Sequence, residues 1–284
     1  MRKVMILTDS SSDLTQEELD LHKIGSIPIY VRFKDEIYHD HFDIKTEEMY
    51  EKIKSKKEMP EIGAILMSHF IAFFEKYLEK GYDVIYICMG SKLSDNYKNA
   101  VLAREELDLK EHLYLVDSKN VSSGLAMLVL KAKDLRNQGY KAKEIKEIIE
   151  GIVPNIRSLY VLSSRSYFDQ NFKIRLFARF LTRLFGQKIV ISVRYGQFYI
   201  HRRPKGNLTL AVIKLLKEFY KDVEKLDPDY AYVTHSLCNR QAIFVTQHVK
   251  KYAHVEHFIE AQLGCVVSSF TGPGTIGIIY AIKN

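Results

Sequence analysis

The chain has no tryptophan, only six prolines and only three cysteines in its 284 residues. Cys88, Cys238 and Cys265 lie far apart, so neither a disulfide framework nor a closely spaced metal knuckle is available, and the three read as reduced packing residues. No stretch approaches the roughly 18 apolar residues that a membrane-spanning helix requires. The run Val4 to Leu7 is too short for the apolar core of a signal peptide, and a cytoplasmic location is expected. No phosphate-binding G-x-x-x-x-G-K-[ST] loop occurs, which removes that route to phosphoryl transfer. No G-x-S-x-G elbow occurs either, and the serines lack an evident histidine and aspartate order. Although the formal charge is +7 and the pI about 9.0, no nucleic-acid fold motif accompanies them, and no nucleic-acid partner is expected. His248, His254 and His257 are close in sequence, but strand alternation sends His254 and His257 to opposite faces, which argues against a metal site. Eighteen tyrosines and fifteen phenylalanines carry the aromatic content, which suits an aromatic-lined pocket and an ordinary core equally.

What is present is a composition of 46% hydrophobic and 27% charged residues, ordinary for a folded globular protein. The most informative stretch runs from Tyr82 to Leu107. Val84, Ile85, Ile87 and Cys88 form a near-continuous apolar strand of the kind buried on both faces of a parallel sheet. After Gly90 comes a hydroxyl-rich turn, then a helix that Ser94 or Asp95 is placed to cap. Ligands of open α/β sheets collect beyond the carboxyl ends of strands, where helix N-termini offer unpaired N–H groups, and Ser91 and Ser94 stand at such a place.

Along the chain, strands and helices alternate through the first half, which predicts a mostly parallel, doubly wound sheet. Val4–Leu7 reads as a first strand, followed by TDSSSDL and a helix opening at Thr15 with Glu18 completing a capping box. Asp9 after an apolar strand raises a phosphotransfer nucleophile, but the second aspartate that such enzymes carry two residues later is here Ser11. Ile24–Val31 reads as a second strand, and IYHDHFDI leads into a helix that Thr46 is placed to cap. The apolar segment Pro60–Met67 reads equally as a buried connection and as a pocket wall. His112–Val116 is a further strand, ending in DSKNVSSG and an apolar helix. After Pro154 a strand leads to SSRSYF and a helix with Arg175, Arg179 and Arg183 at i, i+4, i+8 beside an apolar side, either simply packed or also meeting a partner or, transiently, a membrane surface. A hairpin around Tyr195–Gly196 follows, then HRRPKGN, further helices and strands, and a closing segment Gly264–Gly277 that reads as a loop.

Several of these strings, in this order, resemble the signatures of the DegV family, bacterial fatty-acid-binding proteins that present a bound acyl chain to a partner kinase. TDSSSDL resembles TDSxSDL, IYHDHFDI resembles Y-x-D-x-x-D-I, GSKLSDNY echoes an SSKLSGTY turn, DSKNVSSG resembles DSKxVSxG, and TGPG stands intact at Thr271–Gly274. The resemblance covers essentially the whole chain. It implies two α/β domains, 1–157 and 158–284, with a lipid tunnel between them to which the closing GPG segment returns. It further implies a non-enzymatic lipid carrier in which a long-chain fatty acid is the ligand, no cofactor or metal is used, and a fatty acid kinase subunit is a partner. The alternative is a divergent member that binds another lipid, or acts as a regulatory partner without ligand. By the same resemblance the carboxylate is held by a Thr-Ser pair, a turn serine and a His-Thr pair. Ser94 matches the turn serine and Thr271 the threonine, with Ser91 and Gly272 beside them, whereas Ile62 and Gly63 stand where the Thr-Ser pair belongs and Phe270 where the histidine belongs. Asn171–Ile174 departs from GGRI, and Ser268 replaces a glycine. These departures remove two hydroxyls and an imidazole that would offset the cost of burying a carboxylate. Ser163, Ser164 or Arg165, following a strand end, is the expected replacement anchor, and the apolar neighbours still suit a hydrocarbon tail.

Overall fold

The computed structural model describes residues 2–163, 167 and 188–283. The chain forms two compact units. The first comprises 1–43, 61–154 and 195–197, and the second 44–60, 155–194 and 198–284. A single boundary at 157/158 treats each domain as one run, whereas the units interleave: residues 44–60 belong with the second.

The first unit holds a four-stranded, all-parallel sheet in the order β2-β1-β6-β7, from β1 (Lys3–Asp9), β2 (Ile24–Ile27), β6 (Tyr82–Cys88) and β7 (Leu113–Asp117). Its middle strands are apolar because both faces are covered: Ile6, Leu7, Val84, Ile85 and Ile87 are fully buried. Helix α1 (Gln16–His22) connects β1 to β2 and carries the expected capping box, Glu18 N donating to Thr15 Oγ1 and Thr15 N to Glu18 Oε2. The single strand expected over Ile24–Val31 is two, since Pro28 lacks the N–H that a continuous ladder needs. The second piece, β3 (Tyr30–Phe33), joins β4 (Glu36–His39) and β5 (Glu61–Gly63) in a small antiparallel sheet, where Val31 pairs with Ile62 and Tyr30 with Gly63. Helices α3 (Met67–Leu78), α4 (Asn96–Glu105), α5 (Ser123–Asn137) and α6 (Ala142–Ile152) complete the unit. Every residue from Ser123 to Ala132 is buried, which is why that stretch of α5 shows no polar face.

The second unit contains α2 (Thr46–Lys56) and a mixed six-stranded sheet in the order β10-β9-β8-β13-β11-β12. Its strands are β8 (Ile156–Leu162), β9 (Ile189–Arg194), β10 (Gln197–Arg202), β11 (Leu226–His235), β12 (His257–Gln262) and β13 (Ile276–Ile282). Only β11 and β12 pair in parallel; β13 lies antiparallel between β8 and β11. The turn between β9 and β10 places both Tyr195 and Gly196 at positive φ, 51° and 75°, as the tight two-residue hairpin expected there demands. Helices α7 (Leu208–Tyr220) and α8 (Asn239–Tyr252) pack on the sheet through Leu215, Phe219, Val245 and Val249. Two expectations need correction. Thr46 does not cap α2; it is the first helical residue, and its hydroxyl donates to Leu263 O at 2.7 Å. The segment expected as a loop from Gly264 contains a buried helix, α9 (Cys265–Thr271), and only the turn after it is irregular.

Candidate functional site

In the first unit the chain leaves β6 at Met89–Gly90, and Gly90 N donates to Asn120 O at 2.8 Å. A side chain on Gly90 would stand 3.1 Å from the Lys119 backbone, so the close approach of the two turns favours glycine here. Ser91 is exposed, and both its N–H and its hydroxyl donate to the Asp117 carboxylate, at 3.0 and 2.7 Å. It ties the turn after β6 to the end of β7. Ser94 is half-buried and accepts from Asn96 N at 3.3 Å, which makes it the side-chain cap of α4; Asp95 makes no side-chain cap bond. The Ser94 hydroxyl proton has no acceptor among the described residues.

Asn96 and Asn99 are not legible as site residues in the sequence. Asn96 is fully buried; its Oδ1 accepts from Ile65 N at 2.9 Å, while Asn99 Nδ2 donates to Ile65 O at 2.7 Å. Both backbone polar groups of Ile65 are thus held by α4, which joins the Ile62–Met67 segment to the helix that Ser94 caps. The only available sequence signal is a pair of amides one helical turn apart, at i and i+3. Replacing Asn96 by Ala leaves the buried Ile65 N–H unpaired, and urea denaturation is expected to show a loss of about 1–2 kcal/mol. Along the same segment Ile62 and Gly63 are half-buried, Ile65 is buried, and Leu66 and Met67 are exposed to 57% and 39%. A strand and short connection carrying exposed apolar side chains beside a free hydroxyl donor is therefore what this segment presents.

The first unit also brings three of the signature strings together in a buried polar cluster. Asp9 ends β1 and accepts four hydrogen bonds: from Ser11 N at 3.1 Å, Ser11 Oγ, Tyr86 OH at 3.1 Å and Met89 N at 3.1 Å. Complete burial outweighs these donors and raises its pKa above the usual carboxylate value. Ser10 Oγ donates to Asp40 Oδ2 at 3.0 Å and accepts from Ile29 N. Ser122 Oγ donates to Asp13 Oδ2, and Ser122 N donates to Ser11 O. His41 Nε2 lies 3.6 Å from Asp13 Oδ1 and 3.9 Å from Asp40 Oδ2. Burial disfavours the charge on His41, but Asp40 and Asp13 outweigh it and raise its pKa to about 9.

In the second unit α9 ends at Thr271, and Gly272 and Gly274 both adopt left-handed φ, 78° and 79°. A side chain on Gly274 would stand 2.7 Å from Ser163 Cβ, and one on Gly272 2.7 Å from the Tyr167 ring, so both glycines are required on two counts. Gly274 N donates to Ser236 O and Ser236 N to Thr275 O, which fix the turn against the end of β11. Tyr50 OH bonds Ser236 Oγ at 2.8 Å and donates to Ser268 O at 3.1 Å; burial raises its pKa. Its ring meets that of Tyr167 edge-on at 5.6 Å. Phe270 is half-buried. Thr271 donates to Val267 O at 3.0 Å, so its one hydroxyl proton is committed inside the helix. Ser164, Arg165, Asn171–Ile174 and the arginines of the basic helix lie outside the described residues; Ser163 is described, and its carbonyl accepts from Lys188 Nζ at 2.7 Å.

Among the described residues no group of three or more His, Cys, Asp or Glu side chains is arranged to hold a metal ion, and no helix is long and apolar enough to cross a membrane. All three cysteines are buried, and none of them forms a disulfide.

Comparison with known proteins bears on the same elements. A DegV domain-containing protein of Clostridium acetobutylicum is 29% identical over 283 residues, covering 100% of both chains. A fatty acid-binding protein of Thermotoga maritima is 24% identical, covering 97% of this chain and 96% of its own. Among solved structures, that describing fatty acid binding of a DegV family protein from Thermus thermophilus superposes with a TM-score of 0.91 at 26% identity, over 99% of this chain and 100% of that one. The latter two are named for fatty-acid binding and for no enzymatic reaction. The family model described as "Uncharacterised protein, DegV family" matches residues 3–283, and the chain belongs to the DegV family.

Proposed function

We propose that the protein binds a long-chain fatty acid, with the Ser94 hydroxyl donating to the carboxylate and the apolar segment around Ile62, Leu66 and Met67 meeting the hydrocarbon tail. The observation that carries this reading is the Ser94 hydroxyl: its oxygen is occupied by Asn96 N–H, its proton has no acceptor among the described residues, and it caps the helix whose asparagines hold that apolar segment. Apolar side chains exposed at 57% and 39% gain about 25 cal/mol for each Å² that a tail removes from water. Relatives of the same length and fold are named for fatty-acid binding. The role is carriage rather than catalysis, in the cytoplasm, with the acyl chain handed to a partner kinase. For Phe270, Thr271 and Gly272 of the second unit we propose an apolar contribution to ligand binding, because the Thr271 proton is already committed and Phe270 carries no polar group.

Native mass spectrometry of the freshly purified protein, followed by denaturing extraction, tests this directly. A stoichiometric long-chain fatty acid is expected, and Ser94→Ala is expected to weaken its binding roughly 10-fold, the worth of one hydrogen bond to a charged acceptor. An empty protein that also fails to take up added fatty acid overturns the reading, and a stoichiometric lipid without a carboxylate replaces it with a carrier of a neutral lipid. Gly63→Ser supplies a second check. A side chain at Gly63 meets nothing closer than Tyr30 Cβ at 3.6 Å, an ordinary contact, so thermal stability is expected to hold. The added hydroxyl is expected to tighten fatty-acid binding several-fold, measured by competition with a fluorescent fatty acid.

A further inference from the structure

The second unit contains a cavity of about 200 Å³, distinct in its residues from those assigned to lipid. It lies where the C-terminal end of α7 meets the sheet, and its polar lining includes Arg157, Ser192, Arg194, Glu218, Lys221 and Asp222. Ser192 and Arg194 are two residues apart on β9 and so share a face. Leu159, paired opposite Ser192, joins the core that α7 forms through Leu215 and Phe219, so this is the face that α7 covers. Arg157 and Arg194 stand one residue beyond the Ser158–Val193 pair on the antiparallel strands β8 and β9, across from each other. Like charges directly opposite on neighbouring strands are unfavourable unless an anion relieves them.

Both carboxylates of the cavity already have partners. Glu218 already serves His201 and Lys221, at 3.1 and 3.0 Å, as well as Arg202; partial burial works to raise its pKa, but the hydrogen bonds from Lys221 and His201 and the charges of Arg202 and Lys221 hold it below the usual value. Asp222 accepts from Tyr280 OH at 2.8 Å. The Arg194 side chain, by contrast, makes no hydrogen bond or ion pair with any described residue, and the Ser192 hydroxyl, on a residue only 3% exposed, has no partner among them. Among the described residues the cavity therefore offers an uncommitted guanidinium and an uncommitted hydroxyl on one face, with Arg157 and Lys221 beside them, Glu218 shared among three basic residues and Asp222 hydrogen-bonded to Tyr280.

We propose that this cavity binds a phosphate dianion, free or carried as a small monoester, through Arg194 and Ser192, with Arg157 and Lys221 supplying further positive charge. A planar guanidinium presents parallel N–H donors that match two phosphate oxygens, and Ser192 donates to a third. The volume accommodates a phosphate group and a substituent of a few heavy atoms.

Calorimetric titration of the full chain with inorganic phosphate and, separately, with ethyl phosphate, at ionic strength held constant with chloride, tests the assignment. Saturable one-to-one binding is expected from at least one probe. Arg194→Gln is expected to weaken it about 10-fold and Ser192→Ala a few-fold, while Arg240→Gln, an exposed change on α8 outside the cavity, leaves it within about 2-fold. Tighter binding of ethyl phosphate supports the assignment with a monoester as the ligand; equal or tighter binding of inorganic phosphate supports it with the free anion. No saturable binding by either probe overturns the proposal, as does an equal loss in Arg240→Gln and Arg194→Gln, which signals general charge attraction. Because Arg194 is exposed, its replacement does not disturb the core, and an unchanged melting temperature confirms that loss of binding is local. Fatty-acid content measured on the same samples is expected to stay constant.

Discussion

Replacing Asp9 by Asn will lower the stability of the protein by about 3–5 kcal/mol, although the two side chains have nearly the same shape. The reason is the direction of the four hydrogen bonds around the carboxylate. Oδ1 accepts from Ser11 N and Ser11 Oγ, and Oδ2 accepts from Tyr86 OH and Met89 N. An ionised carboxylate is the one side-chain group with acceptors at both ends and no donor. Whichever oxygen becomes an amide nitrogen, a fixed backbone N–H, of Ser11 or of Met89, then faces another donor, and the hydroxyl beside it must turn its proton away. Asp9, Ser11 and Tyr86 are all essentially inaccessible to solvent, so water cannot repair the loss. The site also ties β1 to β6, because Tyr86 lies in β6, Met89 follows it, and Thr8 Oγ1 donates to Ile87 O at 2.9 Å. Urea denaturation at neutral pH measures the effect. A loss below about 1 kcal/mol would show that the cluster rearranges around the amide and that the four donors do not require an acceptor at both ends of residue 9.

The position of Asp9 also separates what is local in the sequence from what is not. TDSSSDL, IYHDHFDI and DSKNVSSG are readable as three separate strings, and the strand before the first of them is readable from its apolar run. That the three meet is not readable, because Ser10 pairs with Asp40 across 30 residues and Ser122 with Asp13 across 109. Local periodicity carries no information about such pairings. The alternation of strand and helix in the first unit does translate into a parallel sheet, since each crossover leaves its own local signal. The return of residues 44–60 to the second unit leaves none.

At α9 and at Thr46 one local feature masks another. In CVVSSFTGPG the Gly-Pro-Gly end dominates, and the two valines and three hydroxyl residues before it are poor helix formers in isolation. Six of the seven residues of α9 are buried, so the segment has no polar face to betray a helical period; packing decides its conformation. Thr46 resembles a cap because threonine before two glutamates is a common cap pattern, but its hydroxyl bonds Leu263 O instead. At the candidate site Ser94 is legible because capping and ligand donation both favour a serine after a strand. Ser91 is legible only as a turn hydroxyl, and its commitment to Asp117 depends on how β7 ends beside β6.

The charge state of His41 gives the second large effect. His41 follows Asp40 and faces Asp13, and Glu18 also contributes favourably to its charge. With its pKa raised to about 9, the folded protein binds a proton there more tightly than the unfolded chain, whose histidine titrates near 6.5. The stabilisation is therefore complete below about pH 6.5 and is lost as pH rises through about 9. His41→Asn removes the charge while suiting the left-handed backbone there, φ 68°, which asparagine tolerates better than most residues. At pH 6 the variant is expected to be less stable by about 3 kcal/mol, the linkage equivalent of the shift, because Asp13 and Asp40 then lack their shared counter-charge. Between pH 7 and 10 the wild-type stability should fall towards that of the variant, while the variant changes little over the same range. Urea denaturation of both proteins at unit pH intervals reads this out. A gap that stays constant from pH 6 to pH 10 would assign the whole cost of the substitution to lost packing and leave no place for the charge.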